Sequence, residues 1–105
     1  MAEALKRITK PTRLVLAAFM ERPADEQYGL DVAKATGLKS GSLYPILGRL
    51  EEKGWLTSRW EDTDPEAEGR PRRRYYQLTG GGIALATKAL SPTQRSSWAV
   101  PGLAT

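Results

Sequence analysis

Three features of this sequence predict a mainly α domain that carries one small β hairpin. The first is an amphipathic stretch from Ser40 to Trp55, in which Leu43, Ile46, Leu47 and Leu50 recur at i, i+3, i+4 and i+7. The second is a pair of aromatic, partly alternating runs, Trp55 to Glu61 and Arg73 to Thr79, separated by a polar stretch with proline and glycine. The third is size: 105 residues, 40% of them hydrophobic, make one domain with one modest core.

Taken in order, Thr9-Lys10-Pro11 reads as the capped entry of a first core helix over about Pro11 to Glu21, built on Leu14, Val15, Leu16, Phe19 and Met20. Leu5 and Ile8 before it are apolar and fit a short N-terminal arm over residues 1–10. Pro23 and the polar run to Gln27 end that helix, and a short second one follows from Tyr28 to Thr36. Gly37-Leu38-Lys39 then makes a tight turn, because the glycine tolerates a positive φ and the leucine can drop back into the core. Two helices joined this way form a helix-turn-helix signature.

The next helix has two faces. Its leucine stripe must be buried, Ser40 is a candidate N-cap, and Gly54 stands where a left-handed residue would close it. Outward remain Ser42, Tyr44, Pro45, Arg49 and Lys53, with hydroxyls, an aromatic and cations but no acid at the N-terminal end, a set suited to phosphates and base edges. The two runs that follow read as antiparallel strands around a wing loop at residues 62–71, acidic first (Asp62, Asp64, Glu66, Glu68) and basic second (Arg70, Arg72, Arg73, Arg74). Thr79 caps a last helix whose start is weakened by Gly80-Gly81-Gly82 and whose far end is limited by Pro92. The tail, residues 91–105, holds Trp98 as its largest apolar group and is expected to order only under a partner or second subunit. Helix, short helix, turn, helix, hairpin, helix over residues 1–90 is the order of a winged helix-turn-helix domain.

Composition narrows the function. The net charge of +4 favours an anionic partner. Cysteine and histidine are both absent, which removes thiolate chemistry, the usual activating base and nearly every common transition-metal ligand set, so the chain does not read as an enzyme and needs no cofactor. No apolar run reaches the roughly 18 residues that span a bilayer, and the start lacks a signal-peptide centre, which points to the cytoplasm and away from membranes. The four wing acids could hold a hard cation, but they lack the glycine and terminal glutamate of a calcium loop, and a solvated wing tip is the simpler reading.

Tyr28-Gly29-Leu30, Ser42-Leu43-Tyr44-Pro45 continuing through Leu50-Glu51-Glu52-Lys53-Gly54-Trp55, and Arg73-Arg74-Tyr75-Tyr76-Gln77-Leu78-Thr79 together resemble the PadR family of bacterial transcriptional regulators. The match covers roughly residues 10 to 90. The resemblance implies a homodimer that binds double-stranded DNA at a pseudo-palindromic operator, usually as a repressor. It places Ser40, Ser42, Tyr44 and Pro45 at the DNA-facing start of the recognition helix and Arg72, Arg73, Arg74 and Tyr75 at the wing. Some relatives also hold a small-molecule effector, and Trp98 does not map onto that position. The three glycines and Pro92 depart from the long dimer-building helix of the family, which shifts expected dimer contact toward Met1 to Arg13.

Alternatives stay open at several residues. Tyr44 reads as a DNA contact or as an aromatic packed along the hairpin, and Pro45 as a shaped approach to the groove or a tolerated kink. Alternation puts Arg73 with Tyr75 on one strand face and Arg74 with Tyr76 on the other, so one of each pair should be structural. Arg49 and Lys53 reach either phosphates or a surface ion network with Glu52. Trp55 and Trp60 read as hydrophobic packing. The competing function is a winged-helix protein–protein interaction module without direct DNA recognition.

Overall fold

The computed structural model describes residues 8–91. Met1 to Arg7, most of the expected arm, and Trp98 with its tail lie outside the described residues. The elements are α1 (Lys10–Met20), β1 (Gln27–Tyr28), α2 (Gly29–Thr36), α3 (Ser40–Glu52), β2 (Leu56–Trp60), α4 (Pro65–Glu68), β3 (Arg74–Leu78) and α5 (Gly80–Ala89). The strands form one antiparallel sheet in the order β1-β3-β2.

The predicted leucine stripe is the centre of the core. Leu43, Ile46, Leu47 and Leu50 are all buried, and they meet Val15, Leu16 and Phe19 of α1, Val32 of α2 and Leu56 and Leu78 of the hairpin. Thr9 caps α1 by accepting the Thr12 N–H, as expected. Leu14, expected in the core, points out instead with 39% of its surface exposed, because Val15, Leu16 and Phe19 already fill the inward stripe. Gly37 takes a left-handed φ of 76° and receives the end of α2, its N–H donating to Ala33 O at 2.8 Å. At the end of α3, Gly54 has φ 79° and the Trp55 N–H returns to Leu50 O at 2.9 Å, so the chain reverses into β2 within a few residues.

Four further expectations need correction. Ser40 is not the N-cap: Lys39 holds that position with extended φ and ψ, no side chain caps the first turn, and Ser40 is already helical. Tyr28 does not begin the second helix, because Gln27 and Tyr28 pair with Tyr76 and Tyr75 as a third strand. Gln27 is buried there, and its Nε2 donates to Ala18 O at 3.0 Å, satisfying a carbonyl near the end of α1. The wing loop is not wholly irregular; Pro65–Glu68 make one helical turn, capped by the Asp64 carboxylate accepting the Glu66 N–H and closed by Gly69 at φ 70°. Trp60 is not core packing: it is 56% exposed, since β2 has by then run past the edge of the core.

The glycine run at the start of α5 has a steric reason at one position. A Cβ on Gly82 would collide with Trp55 O and stand 2.9 Å from Trp55 C, whereas Gly80 meets nothing within 4 Å. Thr79 fixes this junction. Its hydroxyl accepts the Gly82 N–H at 3.0 Å and donates to Gly54 O at 2.7 Å, while its own N–H donates to Trp55 O at 3.1 Å.

Candidate nucleic-acid interface

The outward side of α3 is open to solvent from Lys39 to Ser42 and again at Tyr44, Pro45, Gly48 and Arg49. No acid lies in its first turn and no side chain caps it, so the positive end of the helix dipole is left uncompensated beside the exposed Lys39. Pro45 is accommodated inside a continuous helix, although it offers no N–H to the carbonyl of Gly41. Tyr44 is 42% exposed, and its hydroxyl lies against Gly29, where an added Cβ would be 3.0 Å away. The ring therefore spans the joint between α2 and α3. Lys53 sits at the opposite end of the helix with its Nζ 5.7 Å from the Trp55 ring centroid. Arg49 forms no ion pair among the described residues.

The wing arginines divide by partner. Arg70 makes a two-pronged pair with Glu61, at 2.7 and 3.2 Å, and so closes the base of the loop. Arg72 is exposed and anchored through Nε to Thr63 O at 2.6 Å. Arg73 lies with its guanidinium 4.9 Å over the Tyr28 ring. Arg74 turns to the other side, donating to Ser58 Oγ at 2.8 and 3.2 Å with Glu51 beyond at 3.7 Å. Tyr75 packs at 6.0 Å from Tyr28 and under the Arg59 guanidinium, which is itself paired with Glu26. The predicted alternation is thus seen, with Arg74 and Tyr75 committed to contacts inside the chain. Arg72, Arg73 and Arg70 line a groove of about 310 Å³ together with Tyr28, Leu30, Asp31, Lys34 and Pro71.

Sequence reasoning missed Lys34 and Lys39, which add positive charge beside the wing and the first turn of α3. Their signal was position: one is in the helix-turn-helix pair facing the wing, the other immediately precedes Ser40. It also missed Glu61, whose carboxylate accepts from Arg70, the Arg73 N–H and the Thr63 hydroxyl.

The hydrogen bonds from Arg70 hold the Glu61 carboxyl down at about 2, against the opposing effect of partial burial, with the Arg73 N–H and the Arg70 charge acting in the same direction. A carboxyl lower in the folded state than its ordinary 4.5 stabilises the fold fully above that value, and the contribution is lost as pH falls toward 2. Urea midpoints measured from pH 7 to pH 2 should therefore fall more steeply for the native chain than for Glu61→Gln, with the difference confined to the range below about 4.5. Parallel curves would remove Glu61 as the wing's acid-sensitive tie.

The profile of the transcriptional regulator PadR-like family matches residues 23–88, more than half of the chain. The chain belongs to that family. Among solved structures it is similar to the PcaV transcriptional regulator of Streptomyces coelicolor, with TM-score 0.71 and 22% identity over 88% of this chain. It spans 62% of that protein's length. The protein smu.1704 of Streptococcus mutans aligns at TM-score 0.67 and 27% identity, covering 89% of this chain and 84% of the other. A mutant of MepR from a multidrug-resistant S. aureus clinical isolate gives TM-score 0.67 and 21% identity, covering 91% of this chain and 69% of the other. No curated protein matches. The fold is accordingly that of a winged-helix regulator, and the family places this PadR-like chain among transcriptional regulators. Among the described residues no helix is long and apolar enough to cross a membrane.

Proposed function

We propose that this PadR-like chain is a cytoplasmic repressor that binds a pseudo-palindromic operator as a homodimer, each copy laying the start of α3 in the major groove and its wing over the adjacent backbone. The observation that carries this reading is the pairing of two exposed surfaces on one domain. One is the acid-free, uncapped first turn of α3 with Ser40, Ser42, Tyr44, Pro45 and Arg49, and the other is the wing edge formed by exposed Arg72 and half-buried Arg73, which rests on Tyr28. The first is suited to base edges and the second to phosphates. Selection of duplexes from a random pool by the purified protein is the test. Enrichment of an inverted repeat with half-sites about one helical turn apart supports the reading, and no enrichment at low salt refutes it.

Base reading by α3 makes its own prediction. Ser42→Ala and Tyr44→Ala should each reduce the preference for operator over random duplex by about 1–3 kcal/mol while leaving affinity for random duplex nearly unchanged. Equal losses on both duplexes, in a competition titration at fixed salt, would show that these side chains do not read bases.

A further inference from the structure

The sheet side that faces α3 holds a polar tie where the core stops. Leu56 and Leu78, opposite one another in the hairpin, are buried; Ser58 and Tyr76 come next, and Trp60 and Arg74 pair beyond them, with Trp60 largely exposed. Past the Tyr28–Tyr75 pair, where β1 ends, the sheet narrows to β2 and β3, and a two-stranded ribbon without apolar cover is marginally stable and free to bend. At this boundary Ser58 Oγ donates to Glu51 Oε2 at 2.6 Å and accepts from Arg74 Nη2 at 2.8 Å and Nε at 3.2 Å. Arg74 Nη2 is 3.7 Å from Glu51 Oε1, and its guanidinium lies 5.0 Å over the Trp60 ring and 6.0 Å from that of Tyr76. One residue from the last turn of α3 and one from each wing strand are thus joined through a single hydroxyl.

We propose that Glu51, Ser58 and Arg74 form a clamp that sets the angle between α3 and the wing, and that Arg74 is a positioning residue rather than a phosphate contact. The proposal rests on the DNA-binding reading, because the angle matters only if α3 and Arg72-Arg73 must meet one duplex together. The leucine stripe holds α3 by its buried face, and the clamp carries that fixed orientation into the part of the hairpin the core does not reach. Charge-assisted hydrogen bonds through a shared acceptor are suited to this, since they are directional. The Trp60 ring shields the guanidinium on one side, which gives this exposed tryptophan a purpose that packing does not.

The sign of one substitution separates the clamp from simple electrostatics. Glu51→Ala removes a negative charge from a DNA-binding domain, so charge alone predicts tighter operator binding. The clamp predicts weaker binding by about tenfold, the scale of a lost hydrogen bond to a charged group, and the same for Ser58→Ala. Arg74→Lys keeps the charge but not the fork; it should match Ser58→Ala if Arg74 positions, and bind as the native chain does if Arg74 merely supplies charge to a phosphate. A second measurement needs no DNA. The chain has no cysteine, so spin labels at Glu52→Cys and Glu66→Cys, diluted with unlabelled protein, report the distance from α3 to the wing. A narrow distribution that broadens in Ser58→Ala supports the clamp, and an unchanged distribution overturns it. Should the native protein bind no duplex, the DNA reading fails while the label distances still decide the clamp.

Discussion

Gly82→Ala is expected to lower the unfolding free energy of this chain by roughly 1–3 kcal/mol or more, the scale of overpacking a closed site, and its denaturant midpoint with it. The added methyl would collide with Trp55 O and stand 2.9 Å from Trp55 C. Both are backbone atoms at the tight reversal after α3, held by the Trp55 N–H to Leu50 O bond and by Thr79. Neither can move aside as a side-chain tip would, so α5 would have to lift away, loosening Leu85, Ala86 and Ala89, all buried. Helix propensity pulls the other way, since alanine is favoured over glycine by up to about 1 kcal/mol, but it cannot offset a contact this short. The neighbours give the control. Gly80→Ala meets nothing within 4 Å and Gly81→Ala only ordinary contacts, so both should be neutral or slightly stabilising. Urea unfolding of the three variants at constant m checks the order, and a Gly82→Ala midpoint equal to that of Gly80→Ala would sink the steric account.

The same glycine marks what the sequence could and could not tell. Three consecutive glycines read as a weak helix start because propensity is a local property, whereas the reason for Gly82 is a carbonyl 27 residues earlier that only the folded chain brings near. The leucine stripe of α3 was legible for the opposite reason, its period being written into adjacent turns. Strand β1 was not: two residues have no period, and Gln27 and Tyr28 become a strand only because Tyr75 and Tyr76 supply the partner. The strand alternation of Arg73 and Arg74 was legible too, but not which of them turns inward. That is decided by Glu51 and Ser58, which lie seven residues apart across the turn at Gly54 and meet only when the chain reverses.

Arg72 and Arg73 carry the other large effect. Replacing both by alanine is expected to lower the slope of log K against log salt by about 1.8, since each phosphate contact on B-DNA contributes about 0.9. Affinity should therefore fall most at low salt, and the curves of native and double variant should converge as salt rises. Operator and random duplex should lose alike, because phosphates carry no sequence information. That is the reverse of the pattern expected for Ser42 and Tyr44. The geometry favours these two arginines over their neighbours. Among the described residues Arg72 is tied through Nε alone, which leaves its terminal nitrogens for a partner, and Arg73 rests on the Tyr28 ring without a carboxylate partner. Arg70, by contrast, is consumed by Glu61, and Arg74 by Ser58 and Glu51. An Arg70→Ala variant should thus act through wing stability and leave the salt slope nearly unchanged. If the Arg72-Arg73 double variant also leaves it unchanged in a titration across ionic strength, the wing does not lie on the backbone and the affinity must come from the first turn of α3 alone.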